Sequence, residues 1–284
     1  MANLKEIRIR ISSVESTKQI TSAMKLVAAS KLKRATDAIT TMRPYAEKLE
    51  EILQNLSSGS DNDGNIYGEQ RGEDKVLIVP IASNRGLCGA FNTNVVKRSL
   101  LLIKEEYKGA DISFFTVGRK VSEYFTNHGF NVISSHDEVW NNLNWEYVIP
   151  IAEELLTAYK EGEFDKIVLV YNQFKNAGTQ IIMSEQFLPV LPVESDSDIN
   201  SDYIMEPSKE VIVNELIPKT LKTQFYKALL DSLASEHGAR MTAMHMATDN
   251  ATNLINDLKL TYNKARQAAI TNEIIEIVSG SNAL

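Results

Sequence analysis

With 284 residues, 43% of them hydrophobic and 24% charged, the chain carries enough apolar material for a core in one or two domains and has no disorder-like bias. A formal charge of −7 argues against a general nucleic-acid binder. The single cysteine, Cys88, excludes a disulfide framework, a cysteine-based zinc site and a CxxC redox pair.

From Leu4 an apolar stripe steps by three and four: Leu4, Ile7, Ile11, Val14, Thr21, Ala28, Leu32, Ala35, Ile39, Met42, Ala46, Leu49, Leu53, Leu56. Lys18 and Lys25 hold two basic positions in the same register. A stripe this narrow suits a coiled-coil seam better than a globular face. At about 1.5 Å per residue it predicts one helix of roughly 80 Å, longer than a domain of this size is wide. Pro44 predicts a kink rather than an end, because the stripe resumes through Ala46 and Leu49. Between Met1 and Lys48 ten basic residues face four acidic ones, so this segment carries +6 and the rest −13. The basic helix is expected to meet an acidic partner or to present a solvated charged face. The pattern begins at once, with no apolar signal core, and no stretch approaches the ~20 apolar residues of a membrane span. A reducing compartment and no direct membrane insertion follow as expectations.

Residues 58–74 read as a linker opened by the breaker Ser57–Gly64. Asp61 and Asp63 there lack the glutamate that a calcium loop needs. Residues 75–195 alternate in period. Strands are predicted at Val76–Ala82, Ile112–Val117, Val132–Ile133, Ile167–Tyr171 and Gln180–Leu188. Helices are predicted at Asn92–Tyr107, Arg119–Asn127 and Tyr147–Tyr159. Strand–helix alternation implies a largely parallel sheet covered on both faces. An acidic loop occupies residues 196–207. From Ser208 to the end at 284 the pattern is helical, with Pro218 as a possible restart. Its stripe runs Leu221, Phe225, Leu229, Leu233, His237, Met241, Met244, Thr248, Ala251, Leu254, Leu258, Tyr262, Ala265, Ala269. Two long helices joined by an α/β segment are expected to pair antiparallel.

Candidate chemistry is sparse. Ile81–Asn92 (IASNRGLCGAFN) is a strand, a glycine-rich turn and a helix start, but it lacks the Lys-Ser/Thr of a P-loop and the GxGxxG of a dinucleotide turn. Cys88 lies in that turn without an identifiable histidine partner. His237 and His245 are eight apart, too far for a helical metal pair, and loop polarity accounts for His136-Asp137-Glu138. No catalytic, cofactor-binding or metal residue is assigned. Apolar residues outside the seam, Ile20, Leu26 and Val27 on the first helix and Ile270, Ile274 and Ile275 on the last, call for a further neighbour.

Ile20–Lys31 (ITSAMKLVAASK), Asn84–Gly89 (NRGLCG), Met246–Ala251 (MATDNA), Tyr262–Ala268 (YNKARQA) and Ile270–Gly280 (ITNEIIEIVSG) occur in this order over essentially the whole chain. Together they strongly resemble the gamma subunit of F-type ATP synthase. Asn84 stands where that family often has Asp, and Ser281 where it usually has Ala. The resemblance implies an α/β fold: a long antiparallel coiled coil of the N- and C-terminal helices plus a central Rossmann-like α/β domain with a mostly parallel sheet. It also implies a non-catalytic, cofactor-free rotor shaft that couples rotation driven by ion flow to conformational change at the beta-subunit sites. The implied partners are the alpha and beta ring, the epsilon subunit and the membrane c-subunit ring. The implied location is the cytoplasmic face of a bacterial plasma membrane, as a peripheral subunit.

Residue by residue, the resemblance places Met24, Lys25 and Arg240 against the moving part of the beta subunit. It places Arg266, Gln267 and Thr271 at polar catch positions near the shaft tip, and Ile274, Ile277 and Val278 in an apolar bearing. Tyr203 and Glu206 would lie near the rotor ring and epsilon. With Cys88 alone the chain has no dithiol for the thiol switch of photosynthetic members. Two other readings stay open: a nucleotide- or metabolite-binding α/β protein with helical dimerisation arms, and a coiled-coil nucleic-acid binder.

Overall fold

The computed structural model describes residues 4–57, 66–190 and 209–282. Ten principal elements follow in chain order: α1 (Leu4–Ser57), β1 (Lys75–Pro80), α2 (Phe91–Glu105), β2 (Asp111–Thr116), α3 (Arg119–Asn127), β3 (Asn131–Ser135), α4 (Trp145–Lys160), β4 (Lys166–Asn176), β5 (Thr179–Leu188) and α5 (Lys209–Asn282). Both long helices run through their prolines: Pro44 lies inside α1, and α5 does not restart at Pro218. The chain divides into two compact units, Ala29–Ala239, and Met1–Ala28 with Arg240–Leu284.

The unit Ala29–Ala239 holds a five-stranded sheet of order β3-β2-β1-β4-β5. β1 pairs parallel with β2 and β4, β2 pairs parallel with β3, and β5 closes one edge antiparallel to β4. The strand period of two sorts the apolar residues to two faces. Val76, Ile78, Phe114, Val168 and Val170 meet Val95 and Leu102 of α2 and Val121 and Phe125 of α3. Leu77, Val79, Phe115, Ile167, Leu169 and Tyr171 meet Val148, Ile151 and Leu155 of α4 and Ile217, Leu221, Phe225 and Leu229 of α5. A sheet covered on both sides needs continuous apolar strands, and VLIVP supplies one. Between β2 and α3, Gly118 has φ +105°, and a Cβ there would stand 2.0 Å from the Ala82 carbonyl oxygen. Only glycine fits that crossing.

The first stretch of α5 departs from a narrow seam. Residues Leu229, Leu230, Asp231, Ser232, Ala234, Ser235, Glu236, His237 and Ala239 are all buried, covering most of the circumference. A coiled-coil stripe would bury about two positions in seven. This part of α5 serves as a core helix of the α/β unit.

In the other unit, α1 and α5 pair antiparallel. Arg8 donates to the Tyr262 hydroxyl at 2.7 Å and stacks over its ring, Lys259 faces Glu15 at 3.5 Å, and Thr248 lies 2.9 Å from Thr21 Oγ1. Ile7, Thr21 and Ala28 of α1 and Met244, Ala251 and Ile255 of α5 are buried in this seam, with Lys18 and Lys25 half-buried beside them. By this register Leu4 lies opposite about residue 266, and every residue from Arg266 to Ser281 is exposed. Among the described residues the seam expected to run on through Ala269 therefore reaches only to about residue 266, opposite Leu4.

Candidate functional site

Two helices can bury only one stripe each, so apolar residues on their other faces stay in solvent. On α1 these are Ile9, Ile20, Leu26 and Val27, and on α5 Met246, Leu254 and Leu260. Leu26 and Val27 are adjacent and 69% and 58% exposed. The register that pairs Thr21 with Thr248 sets Met246, itself 62% exposed, level with Met24. The result is an apolar collar around both helices. Met24, Lys25 and Arg240 are half-buried. A groove beside the collar is lined by Glu15, Lys18, Gln19, Ser22, Leu26 and Lys259, among others.

A second apolar group occupies the unpaired end of α5, where Ile270, Ile274, Ile275, Ile277 and Val278 are all about half exposed or more. Gln267, Thr271, Ile274 and Val278 fall on one helical face at spacings of four, three and four, and Arg266, Ile270 and Ile277 lie on the neighbouring face. The Thr271 hydroxyl donates to the Gln267 carbonyl at 2.9 Å, so it is held along the helix, and Gln267 is exposed. An exposed apolar group with a polar face beside it has the make-up of an interaction surface. Of the sequence-assigned residues of the two helices, Met24 and Lys25 lie at the collar and Arg266 through Val278 at the end, while Arg240 falls in neither group, more than a turn along the pair from Met24. Tyr203 and Glu206 lie outside the described residues. Ile9 and Leu260 were missed by sequence reasoning, although each falls off the stripe, and Leu254, expected in the seam, is 39% exposed while Ile255 beside it is buried.

The α/β unit answers the rival reading. In a doubly wound sheet a ligand enters where the strand order reverses, outside the carboxyl ends of the strands. Here that point lies between β1 and β4. The turn after β1 is closed on itself: the Ser83 amide donates to Asn92 Oδ1 at 3.0 Å, Asn84 Nδ2 donates to the Asp137 carbonyl at 2.7 Å, and the Arg119 amide donates to Asn84 Oδ1 at 2.9 Å. Cys88 is 1% exposed and packs with Phe91 and with Ala239 of α5. Asn172 of β4 donates to the Phe91 carbonyl across the same gap. The mouth of the sheet is filled by protein. In the polar loop after β3, His136 faces Glu154 at 3.1 Å and Asp137 faces Arg119 at 3.1 Å, and the loop lines a cavity of about 420 Å³ with Tyr147 and Glu154.

Sequence comparison decides the family. The family model described as ATP synthase matches residues 3–284. The chain is 56% identical over 285 residues to the ATP synthase gamma chain of Christiangramia forsetii, covering all of this chain and 99% of the relative. It is 59% identical over 289 residues to that of Flavobacterium johnsoniae, with the same coverage. The chain belongs to the ATP synthase gamma chain family. Solved structures agree on the fold. A rotor chain of Euglena gracilis mitochondrial ATP synthase in rotational state 1 superposes with a TM-score of 0.69 at 21% identity, covering 94% of this chain and 98% of that one. A central stalk/c-ring chain of Tetrahymena thermophila mitochondrial ATP synthase gives 0.63 at 26% identity, covering 80% and 99%. Among the described residues, no helix of this gamma-family chain is long and apolar enough to cross a membrane.

Proposed function

We propose that the chain is the central rotor shaft of a proton-translocating F-type ATP synthase, carrying no catalytic residues of its own. The observation that supports this most is the antiparallel helix pair with two apolar groups facing outward, at the collar and at the end of α5. In this reading residues 1–57 and 208–284 form the shaft, residues 75–195 form the α/β domain, and 58–74 and 196–207 connect them. The alpha and beta ring surrounds the helix pair, while the epsilon subunit and the c-subunit ring meet the α/β domain near Tyr203 and Glu206. The complex sits on the cytoplasmic face of a bacterial plasma membrane, with this chain peripheral.

The mechanism follows from asymmetry. The collar carries Leu26 and Val27 on one helix and Met246 on the other, with Lys18 and Lys25 beside them, so no two directions around the pair present the same surface. Each beta subunit meets a different face, and only such differential contact shifts a conformational equilibrium. Lys25, Lys31, Lys33 and Arg34 suit an acidic beta surface. Arg266, Gln267 and Thr271 supply hydrogen-bonding catches, and Ile274, Ile277 and Val278 run in the apolar bearing.

Reconstitution tests the proposal. The isolated chain should neither bind nor hydrolyse ATP appreciably, and mixing it with matching alpha and beta subunits should restore ATPase activity in a complex holding one copy per six-membered ring. Tight nucleotide binding by the isolated chain, or failure to join that ring, would refute it.

A further inference from the structure

Beyond Val170, β4 leaves the parallel sheet and pairs only with β5, so Tyr171–Asn176 and Thr179–Met183 form a two-stranded ribbon. This ribbon touches α5 at two points. Asp231 Oδ1 accepts from the Phe174 amide at 3.4 Å, and a Cβ on Gly238 would stand 3.2 Å from both the Cα and the carbonyl oxygen of Ala177. Seven residues separate these points, about 10 Å along the helix. From α1, Arg43 Nη2 donates to the Phe174 carbonyl at 2.9 Å and to Asp231 Oδ1 at 3.1 Å. One guanidinium nitrogen therefore ties α1 to both α5 and the ribbon.

The Asp231 side chain is wholly buried, and its Oδ2 has no hydrogen-bond partner. Arg43 is 38% exposed, so solvent screens its charge while Asp231 bears the cost of burial, and such a pair is a poor source of stability. Its use here is directional: apolar packing of Phe225 and Leu229 holds α5 against the sheet but does not fix the angle of α1 around α5. We propose that the Arg43–Asp231–Phe174 contact is the positioning joint that locks α1 to the α/β domain against turning, so that torque passes between that domain and the helix pair. The inference rests on the shaft reading above.

The test uses the full chain assembled with its matching subunits in proton-tight vesicles. ATP hydrolysis and ATP-driven proton uptake are followed together. R43M/D231N removes both charges while leaving an acceptor for the Phe174 amide. It should melt close to the native chain and keep its hydrolysis rate, yet pump fewer protons per ATP. R43K, whose ammonium can donate to both oxygens, should restore the native ratio. Native pumping per ATP in R43M/D231N would overturn the proposal. Should that variant fail to assemble, spin labels on Thr40→Cys and Thr179→Cys in a Cys88→Ala background decide. With Arg43→Gln their distance distribution should broaden, and an unchanged distribution would equally overturn it. Failure of the unmodified chain to assemble would count against the shaft reading instead.

Discussion

Replacing Ile274 and Ile277 by Ser separates a partner-facing surface from a structural one. The two side chains are 55% and 66% exposed, on a stretch of α5 that α1 does not reach. Fully burying an isoleucine is worth about 1.5 to 3 kcal/mol, so enclosing these two exposed fractions contributes roughly 2 to 3.5 kcal/mol. Their loss should weaken association with the alpha and beta ring by about 30- to 400-fold. The isolated chain should be indifferent, with its unfolding free energy changed by no more than about 0.5 kcal/mol, as for other surface substitutions. Titration of labelled alpha–beta ring with each chain measures the first quantity, and denaturant unfolding of the chain alone measures the second. An unchanged association constant would refute the enclosure of this end. Equal losses in both assays would show that the isoleucines pack within the chain itself.

Three further outcomes are expected. Met24→Lys places a third charge beside Lys25 at the half-buried edge of the collar and should reduce proton pumping more than ATP hydrolysis; equal loss of both would refute a coupling role. Thr21→Val and Thr248→Val each remove the hydroxyl contact across the seam and should cost about 1 kcal/mol, with the double variant costing less than the sum; strict additivity in denaturant unfolding would mean that the contact adds nothing. Burial raises the pKa of Asp231 above the ordinary carboxylate value and outweighs the opposing pull of Arg43. The folded state therefore holds this proton more tightly than the unfolded one, and stability from this group is full below about pH 3.9 and lost as pH rises through the folded value. Asp231→Asn does not titrate, so its stability relative to the native chain should climb across that window and then level off. A relative fall would show that the Arg43 attraction exceeds the burial penalty.

Much of the architecture was legible because it rests on period alone. Arg119–Asn127 was bounded correctly by its spacing, and the continuous run at Val76 announced a strand buried on both faces. β4 was cut short at Tyr171 because Asn172–Asn176 loses the apolar run once the strand leaves the sheet. The Ala177–Gly178 turn between two β-type stretches was the available signal for a hairpin. α5 between Ile217 and Ala239 read as a seam because its stripe kept the right step. Leu229-Leu230 and Leu233-Ala234, pairs of adjacent apolar residues, were the sign of a wider buried face. At the site, Leu26, Val27, Ile270, Ile274 and Ile275 were legible as apolar residues off the stripe, whereas Met24, Ile277 and Val278 came from the family resemblance. The Arg43–Asp231 contact was not, because it joins residues 188 positions apart. Its only local trace is a lone carboxylate within LLDSLA.

Among the described residues α1 starts opposite about residue 266, so the last seventeen described residues of α5, from Arg266 to Asn282, have no described stretch of α1 beside them. Resistance to flexing rises steeply with the cross-section of a rod, so a single helix yields sideways far more readily than two paired helices do. It suits a centring pin, kept straight by whatever encloses it, while leverage has to be exerted lower down where both helices share the load. Shortening the pin by a turn should therefore disturb alignment before it weakens drive.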